Sequence, residues 1–477
     1  MPRRTKIVAT LGPATDNEAA LADLMAAGVD LVRVNFSHGS FDDHARRIAG
    51  ARRAATQAGR VVGILGDLRG PKVRIERFAA GSVTLVEGEK FSLDPRLDPY
   101  SGTARVVGVA YERLPKDVKK GDTLLLNDGL ISLEVTGVEG TRVHTRVIAG
   151  GELSDLKGLN KLGGGLSAGA LTAKDREDIA MAAKLGVDYL AVSFVRDRND
   201  VVEAWDLMRD AGGEGRIVAK IERREAIDNL ESIIETSAAV MVARGDLGVE
   251  VGYAELTGLQ KRIIALARSK NRLVITATQM MESMIQAPAP TRAEVSDVAN
   301  AVMDDTDAVM LSAETAVGRH PGRVVRAMAQ VIEGAEKWQT SNRPAIQPDG
   351  HFNRSDEAIA AAVMYTANHL NVAAIVALTE SGSTALWMSR MRSDIPIYAF
   401  TRHPATQRRV TLYRGVYPVD IDVTQVRAEQ MYGAIFDRML QDGLAEEGDL
   451  IVLTKGDFSG VSGGTNTMKI VQVRRGG

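Results

Sequence analysis

Acids and bases gather at the ends of apolar runs in this sequence. "VVGIL" runs into "GDLRGPKVR", where Asp67 is followed by Arg69, Lys72 and Arg74. "LVRVNFSHG" ends with Arg33, Asn35, Ser37 and His38, "VAKIE" with Lys220 and Glu222, "VARGDLG" with Gly245 and Asp246, and "TATQ" with Thr278. "AVMLSAE" adds Ser312 and Glu314. Lys220 and Glu222, two apart on a strand, project to the same side. Glu222 and Asp246 offer hard oxygen ligands suited to magnesium or manganese, and no His or Cys cluster argues for zinc. Arg33 and Lys220 suit a phosphate. "GDLG" reads as the start of a helical turn, whose backbone N–H groups would hold a small carboxylate or phosphate.

That combination suggests phosphoryl transfer. Two like charges about 4 Å apart repel by roughly 4 kcal/mol at an effective dielectric near 20. Several such pairs exceed what one lysine offsets, so joining two polyanions calls for a divalent ion and several cations where water is excluded. There is no Walker A loop and no kinase-type Gly-rich loop, so a nucleotide would be held in another way. Any one of these charges alone is more often a solvated strand end. The reading rests on the set.

The elements that must position this set alternate. "KIVAT" (Lys6 to Thr10), a helical "NEAALADLMAAG" capped at Gly28, "LVRVNF", a long amphipathic helix and "VVGILGD" predict β-α-β-α-β with short connections, the pattern of a parallel sheet. From about Pro71 to Ser167 the pattern turns β-rich with no convincing helix: "SVTLVEG", "TARVVGV", "DTLLLNDG", "ISLEVTGVEG" and "RVHTRVIAGG" are separated by Gly, Asp and Asn turns. The Gly-rich "LNKLGGGLSAGA" reads as the return hinge. The alternation resumes with a helix N-capped by Thr172 and the strand candidates "YLAVSF", "RIVAKIE", "AVMVARG", "LVITATQ" and "AVMLSAE". The expected fold is therefore α/β: a (β/α)8 barrel over residues 1–70 and 168–340, interrupted after its third strand by an all-β lid over 71–167. A polar linker leads to a C-terminal α/β domain over 355–477 with candidates "AAIVALTE", "IPIYAF", "VYPVD", "DLIVLT" and "MKIVQVR". A barrel works at the C-terminal ends of its strands, where the charged residues fall, and an insert after the third strand is placed to close over them.

Composition narrows the classes. At 477 residues, about two to four domains are expected. A net charge of −2 gives no global reason to expect nucleic acid or an anionic membrane. The absence of cysteine excludes disulfides, thiolate metal sites and cysteine nucleophiles. No stretch approaches the ~20 apolar residues of a membrane span, and no signal pattern follows the basic N-terminus, so a cytoplasmic location is the expectation.

These stretches resemble the pyruvate kinase family along nearly the whole chain, from "KIVATLGPAT" to "GGTNTMKIVQV". The most particular are "GDLRGPKVR", "IVAKIERREAI", "VARGDLGVE", "TATQMMESM" and "PTRAEVSDVANAVMDDTDAVMLSAETAVGRHP". The resemblance implies the reaction phosphoenolpyruvate + ADP + H⁺ → pyruvate + ATP. It implies Glu222 and Asp246 as ligands of Mg²⁺ or Mn²⁺, and Lys220 as the catalytic lysine. Arg33 would lie on the phosphoryl group, backbone N–H groups of Gly245 and Asp246 on the substrate carboxylate, and Thr278 on that carboxylate and the proton path. Asn35, His38, Arg74 and Lys174 match positions that meet the nucleotide. A homotetramer is implied, with "TRAEVSDVANAVM" resembling a helix used at a subunit contact.

One departure stands in the opening stretch. Potassium-dependent members resemble "DTKGPEIR" where this chain has "DLRGPKVR". The ion in such members is held by residues matching Asn35, Ser37 and Asp67 and by a carbonyl where Leu68 stands. Lys72 is expected to supply that positive charge covalently, so that K⁺ is not required. In the C-terminal domain, Thr379, Ser381, Gly382, Ser383 and Thr384 match an effector-phosphate loop. The facing "KGDFSGVSGGTNTM" looks more like members answering to a sugar monophosphate or AMP than to fructose 1,6-bisphosphate. Two readings compete. Another magnesium-dependent barrel enzyme of phosphoenolpyruvate or pyruvate, an aldolase or lyase, would share Glu222, Asp246 and an arginine. A phosphosugar sensor with a dead barrel would have lost Lys220, Glu222, Asp246 or Thr278, and all four are present. Asp305 and Ala313 stand where glycines are common, with no functional account from sequence.

Overall fold

The computed structural model describes residues 2–342, 352, 354–423, 427, 430–456 and 464–475. The chain opens with strands β1 (Lys6–Thr10), β2 (Leu31–Asn35) and β3 (Gly63–Asp67). The intervening helices, Glu18–Ala26 and Phe41–Gln57, start where polar caps allow. The Asn17 side chain accepts from Ala20 N–H at 2.8 Å, and Ser40 and Asp43 form a reciprocal capping box. Gly28 stops the first helix with φ +99°, donating its N–H to the Met25 carbonyl.

The β-rich insert follows: β4 (Ser82–Leu85), β5 (Lys90–Asp94), β6 (Val106–Gly108), β7 (Thr123–Leu126), β8 (Ile131–Glu139), β9 (Arg142–Ala149), β10 (Gly151–Ser154) and β11 (Leu159–Lys161). Six form one sheet in the order β11-β7-β8-β9-β5-β6, and β10 pairs with β4. Alternation along β8 turns Ile131, Leu133 and Val135 into a core with Phe91, Leu93, Leu124 and Leu126, while Ser132 and Glu134 face outward. Three strands differ from expectation. β5 alternates polar Lys90, Ser92 and Asp94 with buried Phe91 and Leu93, a strand pattern that was not picked out, and β10 is a four-residue edge. β11 occupies the first residues of the stretch read as a hinge, where Leu159 and Asn160 are buried. A single helical turn, Leu114–Asp117, stands where none was expected; Pro115 near its start presets φ.

After the helix Ala173–Leu185, strands β12 (Tyr189–Val192), β13 (Arg216–Ile221), β14 (Ala239–Ala243), β15 (Leu273–Ala277) and β16 (Ala308–Leu311) complete an eight-strand parallel barrel. It is closed in the order β1-β16-β15-β14-β13-β12-β3-β2. The expected barrel, interrupted after its third strand, is therefore the observed one. Thr172 caps as read: its hydroxyl accepts from Asp175 N–H at 3.1 Å, and the Asp175 carboxylate accepts from Thr172 N–H at 2.9 Å. Asp175 also accepts from Gly70 N–H at 3.0 Å. Gly70 has φ +66°, and a Cβ there would lie 2.7 Å from the Ser193 side chain, so the opening stretch needs glycine at this point.

The C-terminal domain carries β17 (Ala374–Leu378), β18 (Ile397–Thr401), β19 (Val416–Asp420), β20 (Leu450–Gly456) and β21 (Thr465–Gln472), ordered β19-β18-β17-β20-β21. All pairs are parallel except β20–β21. By compactness the chain divides into two units: Met1–Gly66 with Leu185–Tyr189 and Ile264–Gly477, and Asp67–Lys184 with Leu190–Ile263. Among the described residues, no helix is long and apolar enough to cross a membrane.

Candidate active site

Within the second unit, Lys220 stands one residue from the end of β13. Its ammonium lies 3.0 Å from Glu222 Oε1 and 3.3 Å from Asp67 Oδ1, and it donates to the Ser193 hydroxyl at 2.7 Å. The same-side projection of Lys220 and Glu222 is thus realised as an ion pair. Glu222 is 2% exposed and its second oxygen accepts from Phe194 N–H at 2.7 Å. Burial pushes its carboxyl up; Lys220 opposes this and the charge of Asp246 adds to it. Phe194 holds φ +56°, a left-handed conformation that aims its N–H at Glu222. Ser193 and Phe194 were missed by the sequence reading. They close "YLAVSF", the end of the fourth barrel strand, and the strand-end rule that selected the other residues applied there equally.

Asp246 lies in the first turn of the helix Arg244–Val251. Its N-cap Ala243 makes no side-chain cap bond, and Gly245 and Asp246 fall in the first turn, so the helix start read at this stretch is observed. The Lys72 ammonium contacts Asp246 at 2.9 Å and the exposed Asp128 at 3.7 Å. Burial works against that ammonium, but Asp246, Asp128 and Glu222 outweigh it and hold Lys72 above its ordinary range. Lys72 is therefore charged at neutral pH. Its partners differ from the expected set: Asp67 meets Lys220 instead, and the Leu68 carbonyl accepts from the Ser193 hydroxyl at 2.8 Å. Gly158 flanks the lysine stem, where a Cβ would lie 2.9 Å from Lys72 Cε. Arg74 donates to the Leu156 carbonyl at 2.8 Å, and the exposed Lys174 pairs with Asp178 one turn on.

Among the described residues, no group of three or more His, Asp or Glu side chains is placed to hold a metal. Two carboxylates suffice for magnesium, which keeps water and substrate oxygens in its shell. Glu222 and Asp246 each already draw an ammonium, and burial with mutual repulsion raises Glu222. That excess of negative charge fits a divalent cation.

Within the first unit, Arg33 on β2 donates to Thr10 Oγ1 at 3.0 Å, and the two residues are in register across β1 and β2. The Asn35 side chain accepts from Ser37 N–H at 3.0 Å, folding the turn that presents His38. Thr278 follows β15 with φ +71° and Gln279 with φ +54°, two successive left-handed residues that are not glycine. Glu314, 2% exposed, steadies that turn by accepting from Met281 N–H at 3.1 Å and Ser312 N–H at 2.6 Å. In the C-terminal domain the Ser381 and Ser383 hydroxyls lie 2.8 Å apart, and Gly382 turns with φ +86° while donating its N–H to Thr379 Oγ1 at 2.9 Å. Thr384 is buried against Thr465 at 2.6 Å and faces the core. The central residues of the facing stretch, 457–463, lie outside the described ones.

A closed parallel barrel with acids and cations at its strand ends, a β insert after the third strand and a C-terminal α/β domain define a barrel enzyme built for anionic substrates. Residues 2–325 match the family described as pyruvate kinase, barrel domain, and residues 357–471 match pyruvate kinase, alpha/beta domain. The chain is 53% identical to pyruvate kinase II of Salmonella typhimurium, over 99% of both chains. It is 50% identical to a pyruvate kinase of Haemophilus influenzae, over 95% of this chain and 96% of the relative. Against pyruvate kinase 2 of Synechocystis it is 42% identical, over 99% and 80%. The chain belongs to the pyruvate kinase family.

Proposed function

We propose that this enzyme transfers the phosphoryl group of phosphoenolpyruvate to ADP, giving pyruvate and ATP, with Lys220, Arg33 and Thr278 as its catalytic residues. The observation that carries this reading is Lys220, an ammonium held among Glu222, Asp67 and Ser193 at the end of a buried strand. Glu222 and Asp246 would hold Mg²⁺ or Mn²⁺. When bound, such an ion supplies charge neutralisation for phosphate oxygens that repel one another. Lys220 and Arg33 place positive charge on the transferring group and on the enolate it leaves behind. The helix start at Gly245 and Asp246 receives the substrate carboxylate through backbone N–H groups. Thr278 Oγ1, on its left-handed turn, hydrogen-bonds the carboxylate and lies on the path of the proton that converts enolate to pyruvate. Asn35, His38, Arg74 and Lys174 meet the nucleotide, for which Arg74 and Lys174 exchange their present partners Leu156 and Asp178.

Potassium independence belongs to the same proposal. Lys72 carries a permanent charge beside Asp246, in the region where other family members recruit a monovalent ion. A phosphorylated effector, a sugar monophosphate or AMP, is assigned to the turn from Thr379 to Ser383, where two hydroxyls converge. A homotetramer is proposed from the family likeness and is read by light scattering. The deciding assay is ADP-dependent pyruvate formation from phosphoenolpyruvate, with and without potassium. Near-full activity in potassium-free buffer is expected. Strong activation by added potassium would overturn the role of Lys72, and no ADP dependence would favour the lyase reading.

A further inference from the structure

A cavity of about 420 Å³ opens at the end of the barrel helix Tyr253–Ser269, beside the last turns of the C-terminal helix Ser355–His369. Arg268, Tyr365, His369, Arg390, Met391 and Arg392 line it, and among the described residues no carboxylate does. The three arginines are unequally engaged. Arg390 is committed to Asp307, which is fully buried. Arg392 gives only its Nε to Asp305, at 2.7 Å, and its terminal amino groups meet no protein acceptor among the described residues. Arg268 donates to two carbonyls, of Asp305 at 3.2 Å and Arg390 at 2.6 Å, and meets no carboxylate among the described residues. Burial and the Arg390 guanidinium push it down to about 10, against the nearby charges of Asp305 and Asp307, so a further anion at this guanidinium would be favoured. It keeps some exposed surface.

The lining also carries an aromatic pair. Tyr365, half exposed, stacks on His369 with ring centroids 4.3 Å apart and planes 29° from parallel. His369 Nδ1 lies 2.8 Å from the Tyr365 carbonyl, which can only accept, so Nδ1 carries a proton and the ring is fixed in place. Met364 and Met391 add apolar, adaptable surface. The volume suits a whole small molecule and far exceeds a lone phosphate.

We propose that this cavity binds a small aromatic acid, with its acid group at Arg268 and Arg392 and its ring against Tyr365 and His369. The site is distinct from the turn at Thr379 to Ser383. The two flank opposite ends of the helix Ser383–Ser389, about 10 Å of helix apart. The proposal does not depend on the assignments made for the active site.

Calorimetric titration of the full-length protein with 1-naphthoate tests it, with 1-naphthamide as the uncharged isostere and inorganic phosphate as the anion without a ring. One site per chain is expected, with both controls binding at least about tenfold more weakly. Tyr365→Ala and Arg268→Gln should each weaken naphthoate about tenfold, while Arg268→Lys should stay within about threefold. Equal binding of naphthamide, or naphthoate binding indifferent to both Tyr365→Ala and Arg268→Gln, would overturn the proposal. Should Arg268→Gln not fold, Tyr365→Ala decides alone, since its side chain is half exposed.

Discussion

Two charge clusters in this molecule use the same kinds of contact to opposite ends. At the ends of β3, β13 and β14, Asp67, Glu222 and Asp246 face the ammonium groups of Lys220 and Lys72, so carboxylates are in excess. At the start of β16, Asp305 and Asp307 face the guanidinium groups of Arg390, Arg392 and Arg414, with Arg268 beside them, so cations are in excess. The first cluster uses lysine, a compact charge on a flexible stem that can change partners. The second uses arginine, whose planar fork fixes carboxylates bidentately, as Arg390 does with both oxygens of Asp307. A negative surplus held by movable cations suits a site completed by a metal and its anionic substrates. A positive surplus held by rigid forks suits a structural junction with room for an anion.

The sharpest way to break this contrast is Lys220→Met. Removing one preorganised charge from the reacting centre should lower kcat by about 10³-fold. Steady-state pyruvate formation reads the loss, and far-UV circular dichroism should be unchanged. The fold survives because Glu222, already raised by burial, can take a proton in place of the ammonium. Full retained turnover would remove Lys220 from its role.

Asp307→Asn should reverse the pattern. It accepts from both terminal nitrogens of Arg390 and from Val274 N–H at 2.9 Å, and it is fully buried. Breaking such a pair strands a buried cation and costs roughly 3–5 kcal/mol. Calorimetry should show a clear drop in melting temperature, while kcat of the folded fraction stays within about threefold of the parent. A large loss of kcat at unchanged melting temperature would erase the distinction between the clusters.

The first cluster was legible in the sequence and the second was not, for a physical reason. Barrel topology sends strand C-termini to one working end, so a residue's position along its strand selects Lys220, Glu222 and Asp246. Thr172 and Gly28 were legible because capping and left-handed turns are local. Strands β10 and β11 are very short and held by pairing with distant strands, so local alternation cannot reveal them, whereas β5 does alternate polar with apolar residues and was legible but not picked out. The partners of Lys72 were misplaced because a long stem reaches whichever carboxylate the fold brings near, here Asp246, 174 residues away in sequence. Asp305 had no sequence account. It is buried with φ +67°, and it earns its place by binding Arg392 and Arg414, each far along the chain.

Glu250 extends the comparison to an acid with too little compensation. Burial pushes it from 4.5 to about 7, despite hydrogen bonds from Arg224 N–H and Asn160. The folded chain therefore holds a proton that the unfolded chain releases near its ordinary value. Stability should fall as pH rises from about 4.5 to about 7, and the penalty is complete above that. Glu250→Gln removes the titration, so its stability advantage over the parent should grow across that window to on the order of 3 kcal/mol. Melting temperatures of both proteins from pH 5 to 8 check the sign. An advantage that shrinks with rising pH would refute it.

The smallest effect is expected at Asp128, and its smallness is informative. Asp128 lies 3.7 Å from Lys72, but its side chain is 75% exposed, whereas that of Asp246 is 23% exposed. Water screens the first pair, so its contribution should not exceed about 0.5 kcal/mol. Asp128→Asn keeps a residue that tolerates the left-handed φ of +54° found there. The apparent magnesium affinity and the potassium response should each change by less than about twofold, measured as pyruvate formation over a magnesium series. A large shift in either would mean that Lys72 is positioned from the exposed side and not by Asp246, and the first cluster would then owe its charge balance to a surface acid.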